Sequence, residues 1–206
     1  IISVDNDPAM LSVAKELFAK IDGNDKARTE WFDCGAESLN LKPNEIDLCT
    51  LLQGPNFLSD PKKVLKGVLG ALKPSGRVVA SAWDRIEENK GHFAIASALK
   101  KLGVQPALKP FSMGSPTLLK DIFVGSGFVI ENFYTEQKII SFDSVKEFVS
   151  GVAAGAPATR HAISQLSLSK YDDFFQMVEE LLVDYSSTNG LNLPTQAHIV
   201  QAVPAD

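Results

Sequence analysis

The chain has few of the residues on which several common kinds of protein depend. Two of its 206 residues are cysteines, Cys34 and Cys49, which are too few for a disulfide framework or a zinc site. It has no block of basic residues, and its net charge of −5 argues against a nucleic-acid-binding platform. No apolar run is long enough to span a membrane, and no signal peptide is visible. These absences predict a reducing, cytoplasm-like compartment.

The sequence also has no glycine-rich loop near its start. Residues 1–11 read as a short apolar strand that ends in Asp5, followed by a helix that begins at Asp7-Pro8. In nucleotide-binding α/β sheets, an acid at the end of the second strand can hold a ribose diol, and a glycine-rich loop comes one βα unit earlier. Since the chain opens with Ile1, we expect it to be the later part of a cofactor-binding domain whose first unit is missing.

Strands and helices alternate through the first two thirds of the chain, and 45% apolar residues suffice for a sizeable core. The apolar run Ile46–Leu52 is typical of a central parallel strand covered on both faces. The first helix has apolar residues at helical spacing and is expected to end at Gly23. Those residues are Met10, Val13, Ala14, Leu17, Phe18 and Ile21. Further helices are expected after Asp60-Pro61, around Phe93–Leu102 and after Ser115-Pro116. Further strands are expected at Thr29–Asp33, Arg77–Trp83 and Val129–Phe142, and a turn is expected at Lys73–Gly76, before the second of these.

Residues 143–190 read as helical, with no strand among them, and a last strand is expected at Ala197–Val203. The pattern predicts an α/β fold with a helical insertion before the final strand. We expect one domain over residues 1–206. Its sheet core would comprise residues 1–142 and 191–206, and residues 143–190 would form a helical cap.

Several short segments, taken in order, resemble the class I S-adenosylmethionine-dependent methyltransferases, and among them the small-molecule enzymes related to quinone-biosynthesis methyltransferases. The resemblance covers most of the chain and rests on the spacing of pieces that are individually weak. The pieces are Val4-Asp5-Asn6-Asp7-Pro8-Ala9-Met10-Leu11, Ala36-Glu37-Ser38-Leu39, Ile46-Asp47-Leu48, Gln53 to Asp60, Leu72-Lys73-Pro74-Ser75-Gly76-Arg77 and Ser126-Gly127-Phe128. Departures from the family pattern are the missing glycine-rich loop, Asn6, Gly35 and Ser75.

The resemblance implies a Rossmann-like, mostly parallel sheet with an antiparallel C-terminal strand, and methyl transfer from S-adenosylmethionine to a small molecule. It implies that Asp5 binds the ribose diol, that the loop at Ala36 and Glu37 holds adenine, and that Gln53 contacts the methionine part of the cofactor or the substrate. The expected cofactor-binding residues are Asp5, Asn6, Ala36, Glu37, Leu52 and Gln53. With the glycine-rich loop missing, residues 1–206 alone are expected to bind the cofactor poorly.

No catalytic residue is predicted, because positioning and exclusion of water can supply much of the rate of methyl transfer. Residues near the end of the fifth strand of the family's fold are candidates for a substrate wall: Trp83, Asp84, His92 and Phe111. His92 could accept a proton or simply begin a solvated helix. Apolar residues of the insertion, such as Phe148 and Phe174, could line a substrate pocket or pack against the sheet.

Two other functions stay open from the sequence. A Rossmann-type NAD(P)-dependent oxidoreductase would also place an acid after its second strand, and Tyr134-x-x-x-Lys138 has the spacing of a dehydrogenase pair. In a helix those residues would lie about 6 Å apart, but in the strand expected here they lie about 13 Å apart. The second alternative is a non-catalytic methyltransferase-like protein, or a fragment, that binds a partner.

Overall fold

The computed structural model describes residues 1–21 and 27–205, which form a mixed α/β fold. The strands are β1 (Ile2–Asp5), β2 (Glu30–Asp33), β3 (Ile46–Leu52), β4 (Leu72–Trp83), β5 (Phe128–Phe142), β6 (Ser186–Ser187) and β7 (Gly190–Pro204). The helices are α1 (Pro8–Ala19), α2 (Pro61–Ala71), α3 (Lys90–Lys101), α4 (Pro116–Val124), α5 (Val145–Gly155), α6 (Pro157–Ser164) and α7 (Leu168–Leu181).

Three helices begin where a capping side chain and a proline predict a start. Asp7, Asp60 and Ser115 each accept a hydrogen bond from a backbone N–H in the first turn of α1, α2 and α4. A proline follows each cap, at a position where its missing N–H costs no helical hydrogen bond. Helix α1 ends at Ala19, and Gly23, the expected end, lies outside the described residues.

The strands form two sheets. β1 and β2 pair in parallel as a two-stranded sheet, and β3 pairs in parallel with β4 in the second. β7 lies antiparallel between β4 and β5, so the order of the second sheet is β3-β4-β7-β5, with β6 also paired to β7. The antiparallel C-terminal strand is therefore confirmed. β1 and β3 each pair with another strand along one edge.

Three boundaries differ from the sequence prediction. The expected turn at Lys73–Gly76 is an irregularity inside β4, because Ile46 pairs with Leu72 and Leu48 pairs with Arg77. The last strand begins at Gly190 rather than Ala197, since it follows β5 along nearly the whole length of that strand. The short β6 pairs with the beginning of β7, within the segment that was expected to be free of strands.

Two apolar cores lie on the second sheet. Helices α2 and α4 cover one face, where Leu65, Val78, Phe123 and Val200 are buried. The other core joins α3 to α5, α6 and α7 around Phe148, Phe174 and Leu193. Helices α5, α6 and α7 thus bury apolar residues against α3 and the beginning of β7. No helix in the described part of the chain is long and apolar enough to cross a membrane.

One prediction of burial is wrong. β3 was expected to be covered on both faces, but Leu48 is 53% and Leu52 69% exposed. The apolar residues at helical spacing in α1 are also largely exposed, with Met10 at 55% and Leu17 at 60%, and Leu11 is the buried residue of this helix. The reason is the division of the sheet, because no strand pairs with the second edge of β1 or β3 in the described residues.

The unit β1-α1-β2 should therefore open more easily than the second sheet. It buries a single helix residue, whereas Leu72, Val78, Ala80 and Ala82 of β4 are all buried in one core, and protection from hydrogen exchange follows the apolar contact that opening must break. We expect the amides of residues 2–19 to exchange at least about tenfold faster than those of residues 78–83. Hydrogen–deuterium exchange with mass spectrometry measures this difference, and equal protection of the two segments would contradict it.

Candidate functional site

The loops that follow β1, β2, β3 and β4 lie at one edge of the structure. Glu37, in the turn after β2, accepts a hydrogen bond from the backbone N–H of Ser59, in the loop after β3, at 2.8 Å. The backbone N–H of Gln53, directly after β3, donates to the Ser81 carbonyl oxygen near the end of β4, at 3.0 Å. The carboxyl ends of the parallel strands are therefore brought together, as at the ligand crevice of open α/β sheets.

Asp5 lies at the last position of β1, beside Asp33 at the end of β2. One carboxylate oxygen of Asp5 accepts the backbone N–H of Asp7 at 2.9 Å, which orients the side chain at the start of α1. No hydrogen bond to its second oxygen occurs within residues 1–21 and 27–205. Asn6 follows in the exposed turn. Asp5 is thus held in place with one oxygen available to a ligand.

Ala36 and Glu37 begin a single 3₁₀ turn, Ala36–Ser38. One oxygen of Glu37 accepts from the backbone N–H and hydroxyl of Ser59, both at 2.8 Å, and from the backbone N–H of Asp60 at 3.3 Å. The hydrogen bond from its own backbone N–H and those from Ser59 and Asp60 lower the pKa of Glu37 to about 2. Glu37 therefore joins the two sheets, a role that its sequence pattern did not predict.

Leu52 and Gln53 end β3 at the same edge. The backbone of Gln53 adopts the left-handed region with φ 54°, and its N–H also lies 3.0 Å from the hydroxyl oxygen of Ser81. The side-chain oxygen of Gln53 is buried without a hydrogen-bond partner. A buried polar atom without a partner costs free energy, so this oxygen indicates a place where a ligand can donate a hydrogen bond. Leu52 is exposed beside it.

A cavity of about 180 Å³ lies beyond the end of β4. Trp83, the last residue of β4, lines it together with Gly91 and His92 from the start of α3 and Phe148 and Val152 from α5. The far wall is formed by the end of β5 and the beginning of β7. Trp83 and Ser81 are two residues apart on one face of β4, and Ser81 accepts the N–H of Gln53.

Aromatic rings surround His92. The centroid of its ring lies 6.2 Å from that of Trp83, 5.4 Å from Phe111 and 6.1 Å from Phe148. Burial among these uncharged rings lowers the pKa of His92 below its ordinary value, because the charged imidazolium loses hydration. The structure thus brings together three of the four residues predicted to form a substrate wall.

The fourth, Asp84, is occupied by structural contacts. One of its oxygens accepts the backbone N–H of Arg85 at 2.6 Å and lies 3.2 Å from Nε2 of His198. His198 is 1% exposed, and its ring also contacts the Gly114 carbonyl oxygen and the Thr135 hydroxyl. This network ties the end of β4 to β5 and β7.

Asn89 is a positioning residue that the sequence did not indicate. Its amide nitrogen donates to the carbonyl oxygens of Asp84 and Arg85, and its amide oxygen accepts from the Thr195 hydroxyl and the Gln196 N–H. All of these contacts lie at the start of α3, which carries His92. An asparagine before a helix is an ordinary cap in sequence, and only the fold brings residues 195 and 196 of β7 against it.

The described residues include no metal-binding cluster and little that indicates thiol chemistry. Both cysteines are free, and burial raises the pKa of the Cys49 thiol to about 11, which keeps it protonated at neutral pH. Within residues 1–21 and 27–205, no three histidine, cysteine or acidic side chains are grouped so that they could hold a metal ion.

The lowered pKa of His92 predicts a pH dependence of stability. In the unfolded chain the imidazole titrates near 6.5, and in the folded protein it titrates lower, so between these values the unfolded chain binds more protons. The contribution of His92 to the free energy of unfolding should therefore be complete above pH 6.5, and it should decrease as the pH falls toward the folded-state pKa.

Urea unfolding at pH 7.5 and pH 5.5 tests this dependence, with His92→Phe as the comparison. The variant keeps a ring among Trp83, Phe111 and Phe148 but cannot titrate, so its free energy of unfolding should fall less over this interval. An equal decrease in the two proteins would assign the pH dependence to other groups.

Comparison with known proteins agrees with this geometry. A family described as methyltransferase domain matches residues 1–80. No curated protein matches the sequence. Among solved structures, a protein of Bacillus halodurans assigned as a methyltransferase aligns with a TM-score of 0.62 at 11% identity, over 100% of this chain and 83% of its own.

Two further structures share the fold. An S-adenosylmethionine-dependent methyltransferase of Methanosarcina mazei aligns at a TM-score of 0.57 and 11% identity, over 99% of this chain and 81% of its own. The third structure is phosphoethanolamine N-methyltransferase 2 of Haemonchus contortus in complex with phosphomonomethylethanolamine and S-adenosylhomocysteine. It aligns with a TM-score of 0.52 at 17% identity, over 100% of this chain and 43% of its own. Residues 1–80 therefore match the methyltransferase domain family, and the chain as a whole has the fold of the class I S-adenosylmethionine-dependent methyltransferases.

Proposed function

We propose that the chain binds S-adenosylmethionine at the carboxyl ends of β1, β2 and β3 and takes part in methyl transfer to a small-molecule acceptor. The observation that carries the proposal is Asp5, a carboxylate at the end of β1 with one oxygen fixed by the Asp7 N–H and the other available. A carboxylate in this position can accept hydrogen bonds from vicinal ribose hydroxyls, a charge-assisted and geometrically selective contact.

The other residues at this edge fit an adenosine group. Ala36 lies in the turn after β2, the strand paired with β1, and its backbone N–H can donate to a ring nitrogen of adenine. Leu52 offers an apolar surface. Glu37 contributes by holding this turn against Ser59, so its contact with the cofactor would be indirect or made through its second oxygen.

Gln53 supplies the second argument for a ligand. Its side-chain oxygen is buried without a partner, although the surrounding loop is well hydrogen-bonded through the Gln53 N–H. The free α-ammonium of the cofactor's methionine part, or a donor of the acceptor, would satisfy it. Because a buried unpaired acceptor costs about 1–3 kcal/mol, filling this position favours binding.

The cofactor would supply an electrophilic methyl group on a sulfonium. The residues of the chain would orient the two reactants and keep water away from them, and such positioning can account for a large part of the rate without a dedicated base. The absence of a predicted nucleophile–base pair is therefore compatible with this function. The chain contributes an ordered, mainly apolar surface beyond β4 where an acceptor can lie.

A second candidate function, binding of another polypeptide without catalysis, is favoured by the unpaired edges of β1 and β3 in the described residues. Exposed strand edges offer N–H and C=O groups to an added strand, and the exposed Leu48 of β3 offers apolar contact. The two functions differ in whether the cofactor binds, so one measurement separates them.

Calorimetric titration of S-adenosylmethionine into the protein and its Asp5→Asn variant tests the proposal. Loss of the charge-assisted contact should weaken binding about 10- to 100-fold, as expected for a hydrogen bond to a charged group. Asp33→Asn is the matched control, because it removes the same charge from the neighbouring position of β2. It should change the dissociation constant by less than about threefold, as expected for an exposed charge that makes no direct contact.

Absence of heat at millimolar cofactor would contradict the proposed function and leave partner binding as the better candidate. Equal weakening by Asp5→Asn and Asp33→Asn would assign the effect to the general negative potential at this edge rather than to a ribose contact. Protection of residues 2–19 from hydrogen exchange on addition of the cofactor would place its binding at β1.

A further inference from the structure

The cavity beyond β4 has the size of a single ring. Its volume of about 180 Å³ is close to that of apolar protein cavities that hold one benzene molecule, and is well below the roughly 300 Å³ at which pockets for drug-sized ligands begin. A molecule with a long prenyl tail would have to leave most of its length outside. The volume therefore indicates a small acceptor.

The lining of the cavity carries no charged residue. It consists largely of rings and aliphatic side chains, with Asn89, His92 and Thr195 as the polar members. Asn89 and Thr195 are hydrogen-bonded to each other at 2.6 Å, and Asn89 uses its remaining groups on the backbone. A carboxylate, phosphate or ammonium group would lose its hydration here without gaining an opposite charge.

His92 is the polar group left for a ligand. No hydrogen bond to either nitrogen of its ring occurs within the described residues, and the neighbouring Trp83, Phe111 and Phe148 offer ring surfaces instead. Aromatic side chains favour offset or edge-on contact with a further ring. A ligand that is both aromatic and a hydrogen-bond donor satisfies both features at once.

We propose that this cavity is the acceptor site and that it binds a neutral single-ring compound with one hydroxyl group, which donates a hydrogen bond to His92. The inference rests on the proposed function, because it assigns an acceptor to the same site. It is supported by the lowered pKa of His92, which leaves the imidazole neutral and able to accept at neutral pH.

The position of the cavity agrees with this role. Trp83 follows Ser81 by two residues on β4, and Ser81 accepts the N–H of Gln53 from the proposed cofactor site. Helix α5 closes the opposite side through Phe148 and Val152. The expected cap would thus take part in acceptor binding through α5, while α6 and α7 support it from the core.

Fluorine NMR titrations with 4-fluorophenol, fluorobenzene and 4-fluorobenzoate test the inference. The three probes share the ring and differ in donor and charge. We expect 4-fluorophenol to bind about 3- to 10-fold more tightly than fluorobenzene, because it gains one hydrogen bond. We expect 4-fluorobenzoate to bind more weakly than both.

Two variants locate the binding. His92→Phe should reduce the affinity for 4-fluorophenol to that for fluorobenzene and leave fluorobenzene within about twofold, because the ring is kept and the acceptor is lost. Retained fluorobenzene binding also shows that the variant is folded. Val152→Phe should block both probes by filling the cavity, whereas Val183→Phe adds the same ring at an exposed position and should have no effect.

The outcomes separate the inference from the proposed function. If S-adenosylmethionine binds but 4-fluorophenol does not, or if 4-fluorobenzoate binds most tightly, the inference is overturned and the proposed function stands. If His92→Phe leaves the preference for 4-fluorophenol unchanged, the assigned hydrogen bond is wrong. If 4-fluorophenol binds as described but S-adenosylmethionine does not, the proposed function is contradicted, and the acceptor role of the cavity is contradicted as well.

Discussion

Strand β7 lies between β4 and β5, and the ladders along its two edges connect the parts of the chain that form the cavity. Its pairing with β4 fixes Trp83 at the end of that strand, and its pairing with β5 brings the far wall into place. Near the beginning of β7, the Thr195 hydroxyl donates a hydrogen bond to Asn89, so the same strand fixes the start of α3. His198 of β7 also bridges Asp84 at the end of β4, Thr135 of β5 and the Gly114 loop, so β7 connects these segments through a buried side chain as well.

The proposed cofactor site depends on a weaker connection. Asp5 and Ala36 belong to the two-stranded sheet, whereas Gln53 belongs to the second sheet, and the two sheets share no ladder in the described residues. The hydrogen bonds of Glu37 to Ser59 and Asp60 join them at the edge where the ligand would lie. A ligand that contacts both Asp5 and Gln53 would add to this connection, so binding and the order of β1-α1-β2 are expected to be coupled.

The two proposed sites differ in polarity in a way that suits two reactants. The edge at Asp5 presents a carboxylate, which matches a ribose, and the turn at Ala36, whose backbone N–H is proposed to meet the base. The cavity at His92 presents rings and one neutral imidazole, which match a small uncharged molecule. A methyl group would pass between them near the end of β4, where Ser81 contacts the first site and Trp83 lines the second.

The sequence by itself determined the elements and their chemistry where the signal is local. Helix starts at Asp7, Asp60 and Ser115 follow from capping geometry, β3 follows from a near-continuous apolar run, and Asp5 is recognisable because it ends a strand. Only the tertiary structure decided which surfaces are covered. The apolar residues of α1 and β3 look like core in sequence and are exposed, because burial depends on a neighbouring strand that no local pattern specifies. Likewise Glu37 accepts from Ser59, 22 positions away, Asn89 accepts from Gln196, 107 positions away, and His92 meets Phe148 of α5, and the fold alone brings these residues together.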